Sequence, residues 1–262
     1  MQAVATHRIE MPPRSIAAAL GRALLKDVSR QQTSCATCKQ HDTCLATGLD
    51  VFTMQQFDQL ITTRIRLRKG ETLYRAGTRF SALYAIRSGS CKTVLLTEDG
   101  HDQIAGYHMA GEMIGIDGIG DDRHECEAIA LEDTEVCVVP FDQVTQIARE
   151  DGVFQRNLHR ILSQEITRER RLMLLLGTMH ADQRVATFLL DLSHRYQSRG
   201  YSPSEFVLRM TREEIGSYLG LKLETVSRLL SRFQREGLIH VVGRGIKLLD
   251  RMLLKQILDQ SV

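Results

Sequence analysis

The sequence predicts an α+β chain: an N-terminal cysteine loop, a jelly-roll β domain, one long helix and a C-terminal winged helix-turn-helix. Three observations carry this expectation. Cys35, Cys38 and Cys44 follow a C-x2-C-x5-C spacing. Short apolar runs punctuated by glycine fill the stretch from about Arg64 to Phe141. After Gly152 the apolar residues recur at helical spacing.

With 262 residues the chain exceeds the needs of one core and accommodates two domains. The divisions fall at residues 1–49 (arm and cysteine loop), 50–152 (β-roll), 153–179 (long helix) and 180–262 (winged helix). Charge changes along the same lines. Residues 50–151 carry ten basic and eighteen acidic side chains, whereas residues 180–262 carry thirteen basic and nine acidic ones. An acidic middle and a basic end suit a chain whose tail meets a polyanion. No apolar run reaches the length of a membrane span. The first thirty residues, with Arg8, Glu10, Arg14, Arg22, Lys26 and Arg30, do not read as a secretory signal. A cytoplasmic location is expected, where thiols stay reduced and clustered cysteines favour metal over disulfides.

In chain order, a short helix is expected around Ile16–Val28, followed by polar chain into the cysteine loop. Strands are expected at Leu83–Ile86, at Cys91–Thr97 leading to the turn Glu98-Asp99-Gly100, at Ile104–His108 and at Glu135–Val139. Strands at such even spacing point to a jelly-roll or small barrel. On the long helix, Leu162, Ile166, Glu169, Met173 and Leu176 follow the 4-3-4-3 spacing of a coiled-coil seam. The seam predicts a homodimer, in which Glu169 would meet its own copy across the interface; the competing reading packs the helix on its own domain.

The C-terminal segment begins with an amphipathic helix over Gln183–Arg199. Thr211-Arg212-Glu213-Glu214 fits a capping box. Gly220 supplies a tight turn, Lys222–Glu236 a second helix and Gly237 its C-cap. Leu238–Val242 and Ile246–Leu249, joined through Gly243-Arg244-Gly245, read as a hairpin, which completes a winged helix-turn-helix. On the second helix Leu223, Val226, Leu229, Leu230 and Phe233 form the expected buried face. Glu224, Ser227 and Arg228 share the opposite surface and carry the chemistry to read a major groove. Arg232, Arg235, Thr211 and Lys222 are candidate phosphate contacts on double-stranded DNA.

Three thiolates on one short loop suit a soft metal centre, with iron–sulfur clusters and zinc as competing occupants. Spacing alone leaves the fourth ligand open among Cys91, Cys126 and Cys137. The histidines form no metal-binding motif, and no P-loop, dinucleotide fingerprint or nucleophile elbow is present. No enzyme is expected.

Several segments together carry a family resemblance: Leu83–Gly89, Gln103–His108, Val136–Phe141, Leu172–Leu176, Ile215–Leu221 and Glu224–Leu230. The chain resembles the CRP/FNR superfamily, and within it the FNR-type oxygen-responsive regulators, from about Cys35 to Leu249. The resemblance implies a [4Fe-4S] cluster with Cys137 as the fourth ligand beside Cys35, Cys38 and Cys44. It also implies a β-roll that senses, a long helix that dimerises, and activity without oxygen, which would convert the cluster toward [2Fe-2S] and then apo protein. Glu169 falls where the family carries an acidic residue on the dimer helix. Glu224, Ser227 and Arg228 match its base-reading trio, implying a palindromic TTGAT-N4-ATCAA-like site. The acidic loop with Asp117, Gly118 and Asp121 resembles the surface with which such activators touch RNA polymerase.

The chain departs from the superfamily's cyclic-nucleotide members, which carry an Arg-Ser pair near the stretch Glu125-Cys126-Glu127. Two carboxylates there would repel a cyclic phosphate, so no cyclic nucleotide is expected. Lys39 and Thr43 beside the cysteines are expected to alter the redox poise of a bound cluster. The alternative reading is a zinc-bound or thiol-redox regulator of the same superfamily.

Overall fold

Strand alternation builds the β-roll. Its strands are β1 (Arg64–Leu67), β2 (Thr72–Tyr74), β3 (Ala82–Ser88), β4 (Ser90–Leu96), β5 (Asp102–Met109), β6 (Met113–Ile114), β7 (Cys126–Ala130) and β8 (Thr134–Pro140). They form two four-stranded antiparallel sheets, β1-β8-β3-β6 and β2-β7-β4-β5. The computed structural model describes residues 34–61, 63–96 and 102–259. The helix expected around Ile16–Val28 and the turn Glu98-Asp99-Gly100 lie outside the described residues.

Residues of β8 point alternately to two buried faces. Val136 and Val138 enter the space between the sheets with Ile65, Leu73, Tyr84, Ile86, Cys91 and Ala128. Cys137 and Val139 face the other way, into a second core with Leu83, Ala85 and Met113. That second core is closed by α1 (Val51–Leu60), α2 (Phe141–Glu150) and the start of α3 (Gly152–Thr178). Phe57 of α1 meets Phe154 of α3 edge to face, with ring centroids 5.5 Å apart. Asp50 caps α1 by accepting from the Thr53 amide, and Asp151 caps α3 by accepting from the Phe154 amide. The Thr53 hydroxyl also donates to Asp151 at 2.9 Å, tying one helix to the other's N-terminus.

The C-terminal part contains α4 (Ala181–Gln197), β9 (Glu205–Val207), α5 (Arg212–Leu219), α6 (Leu223–Arg235), β10 (Ile239–Val242), β11 (Gly245–Leu248) and α7 (Arg251–Asp259). The capping box forms as expected: Thr211 Oγ1 accepts from the Glu214 amide, and the Glu214 carboxylate accepts from the Thr211 amide. Gly220 turns the chain between α5 and α6 with a left-handed φ of 62°, a conformation glycine adopts without steric penalty. The wing has a third strand, β9, paired with β11. Val226, Leu229, Leu230 and Phe233 are buried as expected, but Leu223 is exposed. It is the first residue of α6 and precedes the turn at which the helix meets the core.

The winged helix does not stand apart from the β-roll. Val94, Ile104, Tyr107 and Leu131 share one apolar core with Phe188, Ile215, Leu219 and Phe233. Lys92 pairs with Glu214 at 2.8 Å, and the Ser217 hydroxyl accepts from the Ile104 amide at 3.0 Å. Among the described residues, no helix is long and apolar enough to cross a membrane.

Candidate metal centre and nucleic-acid interface

The cysteine loop is held at both ends. At its start Ser34 caps a single turn of 3-10 helix over Cys35–Thr37. Asp58 of α1 accepts from the Ser34 hydroxyl and from the Cys35 amide, each at 2.5 Å. Cys44 ends a second such turn, over His41–Thr43. Beyond it, Leu45 and Ala46 are buried in the core that Cys137 enters.

The fold places the four cysteines of the expected ligand set within electrostatic range of one another. Cys35 senses the charges of Cys44 and Cys137, Cys44 those of Cys137 and Cys38, and Cys137 that of Cys38. Strand register directs Cys137 to this group. It lies opposite Arg64 on β1 and Ala85 on β3. A shift of one residue would send its thiol between the sheets. Cys91 is buried there instead, in the other core. Cys126 lies on β7 among the carboxylates of Asp117, Glu125, Glu169 and Glu165.

Burial pushes all three of Cys35, Cys44 and Cys137 toward the neutral thiol, Cys44 to about 11. Two guanidinium groups oppose that tendency. Arg64 bonds to the Cys137 thiol, and Arg87, paired with Glu135 at 2.7 Å, bonds to that of Cys38. Among the described residues, no three His, Cys, Asp or Glu side chains converge as around a single ion.

Of the seam residues on α3, Ile166, Glu169 and Met173 are exposed, whereas Leu162 and Leu176 rest partly on their own chain's cores. A polar hub sits at the middle of the same helix. Glu112, between β5 and β6, accepts from Arg195 of α4 at 2.8 Å and from Arg199 at 2.5 Å, and lies 3.5 Å from Arg168 of α3. Burial works against its ionised form, but the charges of Arg195, Arg168 and Arg199 prevail and hold its pKa down at about 2. The preceding residue, Gly111, has a φ of 90° and lies against Thr43 and Gln40 of the cysteine loop. None of Asp58, Glu112 and Asn157, the last described below, carried a local sequence signal.

His108 adjoins this hub, within 3.1 Å of the Thr93 hydroxyl and 3.5 Å of Arg168. Burial, and then the charge of Arg168, push its pKa down from 6.5 to about 3. Between those values the unfolded chain binds a proton that the folded one does not. Stability is therefore full above about pH 6.5 and falls as the pH drops, by at most ~1.4 kcal/mol per pH unit. Urea unfolding at pH 7.5, 6 and 5 should show this decline, and His108→Gln should flatten it. An equal decline in the variant would assign the loss to other groups.

On α6, Glu224 and Arg228 are exposed and Ser227 is half-buried. Arg228 lies 3.4 Å from the Thr225 hydroxyl, and among the described residues no ion pair joins it to Glu224. Lys222 stands exposed at the helix N-terminus and Arg235 at its other end. Arg232 is engaged by Asp182 at 2.9 Å, so a phosphate would compete with that carboxylate.

The acidic loop differs from expectation. Asp117 turns inward and accepts from the amides of Glu125 and Cys126 at 2.9 and 3.0 Å, while Gly118 is buried against Phe80. Asp121 and Asp122 remain at the surface.

Comparisons with known proteins agree with this architecture. The family described as a Crp-like helix-turn-helix domain matches residues 183–257, and that described as a cyclic nucleotide-binding domain matches residues 64–151. The transcriptional regulatory protein btr of Bordetella pertussis is 43% identical over 234 residues, 89% of this chain and 97% of btr. The fumarate and nitrate reduction regulatory protein of Escherichia coli is 40% identical over 223 residues, 85% of this chain and 89% of that protein. The structure of FixK2 from Bradyrhizobium japonicum superposes with a TM-score of 0.70 at 32% identity, covering 76% of this chain and 98% of FixK2. These relatives are transcription regulators and not enzymes. A β-roll, a long helix and a winged helix-turn-helix in this order, matched over 89% of the chain by a known regulator, place the protein in the CRP/FNR family of DNA-binding transcription regulators.

Proposed function

We propose that this protein is a cytoplasmic, homodimeric regulator that holds a [4Fe-4S] cluster on Cys35, Cys38, Cys44 and Cys137 and binds DNA when oxygen is absent. The observation that supports this reading is that four thiols from two distant segments lie within electrostatic range of one another in a chain that also carries a winged helix. The donor set fits the group. Thiolates are the usual ligands of such clusters, and Arg64 and Arg87 lie where they offset the negative charge of a thiolate-bound centre. A bound cluster supplies oxygen-labile bonds that join the loop to β8. The chain's own residues do the rest: Asp58 fixes the loop, β8 presents Cys137, and α3 offers Ile166 and Met173 to a second copy. Glu169, exposed on that face, would repel its counterpart until the loop is ordered. Asp121 and Asp122 are the acidic groups left for RNA polymerase.

Cyclic nucleotides have no place in this account. The Asp117 carboxylate already takes the Glu125 and Cys126 amides, in the stretch near which cyclic-nucleotide members carry their Arg-Ser pair. Glu125 and Glu127 add repulsion.

On DNA, Arg228 is the donor suited to guanine N7 and O6, with Glu224 accepting from cytosine and Ser227 near a base edge. Thr211, Lys222, Arg232 and Arg235 would hold the backbone. Arg228→Ala should weaken binding to a TTGAT-N4-ATCAA duplex by about 1–3 kcal/mol and relax discrimination at one base pair per half-site. Fluorescence anisotropy under nitrogen against single-base variants of the duplex measures it. An unchanged preference would remove Arg228 from the reading set.

A further inference from the structure

We propose that Asn157 is the positioning residue through which the cysteine loop acts on the dimerisation helix. The proposal rests on the sensor reading above and names how its signal travels. Asn157 lies in the second turn of α3 and is buried, 8% exposed. Its side-chain amide donates to the backbone carbonyls of Leu45 at 3.0 Å and Thr47 at 2.6 Å. Those carbonyls belong to the chain that leaves Cys44. The single Thr47 hydroxyl proton is shared between the Cys44 carbonyl at 2.7 Å and the His41 carbonyl at 3.0 Å, closing the loop on itself.

This arrangement makes the end of the loop and the start of α3 one mechanical unit. Asparagine is a poor residue for a helix interior, so its place there is explained by what it holds. The Leu45 carbonyl is buried and that of Thr47 partly so, and losing a donor in such a setting costs free energy. A displacement at Cys44 therefore either breaks both bonds or carries α3 with it. Leu162 and Ile166, the first seam positions, follow within about two to three turns of helix.

The start of the loop is fixed differently. Asp58 holds Ser34 and Cys35 to α1, which meets α3 through Thr53–Asp151, through Phe57–Phe154 and in the apolar core they share. The two clamps thus have separable roles: Asp58 shapes the site, and Asn157 transmits its state.

The test uses the full chain under nitrogen. Sedimentation gives the dimer dissociation constant with and without the cluster for the wild type, Asn157→Leu, Asn157→Asp and Asn157→Gln. Iron and sulfide content are measured on the same samples. Asn157→Leu and Asn157→Asp should keep wild-type iron and sulfide while the ratio of apo to cluster-bound dissociation constants falls at least tenfold. Asn157→Gln, which restores the amide, should recover part of it. Asn157→Asp keeps the size of the side chain and provides the answer if Asn157→Leu does not fold. An unchanged ratio would overturn the proposal, as would loss of iron in parallel with loss of dimerisation, which would make Asn157 part of the site and not its relay. A wild-type protein that binds no cluster would overturn the sensor reading itself, and that result appears before any variant is compared.

Discussion

Glu112→Ala is expected to destabilise the folded chain by about 3–5 kcal/mol, because it strands buried charges that share one carboxylate. Arg195 and Arg199 are almost wholly covered, and both direct a guanidinium at Glu112, with Arg168 beside them. The Met109 amide also donates to the same carboxylate at 3.1 Å. Removing the acceptor leaves these donors in a low-dielectric setting without their anion. The loss should also loosen the winged helix from the β-roll, since Arg195 belongs to α4 and Glu112 to the β5–β6 connection. Denaturant unfolding at pH 7.5 measures the effect. A change below about 1 kcal/mol would mean that water replaces the carboxylate and that the hub is a surface pair in energetic terms.

Cys137→Ala is the second large effect. Iron and acid-labile sulfide should fall to background, and DNA affinity under nitrogen should fall to that of the wild type exposed to air. Cys137 is the one member of the ligand set on a strand, paired on both sides by β1 and β3. Without it a centre on the loop cysteines would have no tie to the β-roll strands. The packing change is small, about 1 kcal/mol, so the variant should remain folded. Cys91→Ala and Cys126→Ala should retain the cluster, since Cys91 lies in a separate core and Cys126 on the acidic side of β7. A variant of Cys137 with wild-type iron would transfer the fourth position to another residue.

Local chemistry was readable from the chain. The capping box at Thr211 and the turn at Gly220 each depend on residues a few positions apart, and each is found in the structure. The direction of Cys137 was not readable from alternation alone, because Val136-Cys137-Val138-Val139 is apolar on both faces and both are buried. Only pairing with Arg64 and Ala85 decides it. Helices α1 and α2 were missed: the strand ending at Pro140 passes directly into α2, with no polar break between them. β9 is only three residues long and needs β11 to exist.

The polar clamps escaped for a different reason. Asn157 and Leu45 are 112 positions apart, and Arg195 and Glu112 are 83 apart. Each of these residues is unremarkable in its own neighbourhood, and its role arises from the packing of distant elements. The same holds for Asp117, which reads as an exposed acid in an acidic loop but caps two amides several residues downstream. The continuous core between β5 and α5 likewise follows from tertiary contact, since Ile104 and Tyr107 look like ordinary strand residues.

The central claim is that the four cysteines hold an oxygen-labile iron–sulfur centre. The most direct measurement is the ultraviolet–visible spectrum of protein purified under nitrogen, with iron and sulfide assayed on the same sample, repeated after admission of air. A broad sulfide-to-iron charge-transfer band that changes in air, with iron and sulfide in equal amounts, is the predicted result. A colourless protein containing zinc, or no metal after anaerobic reconstitution, would contradict it and move sensing to zinc or thiol chemistry, with the DNA-binding fold unaffected.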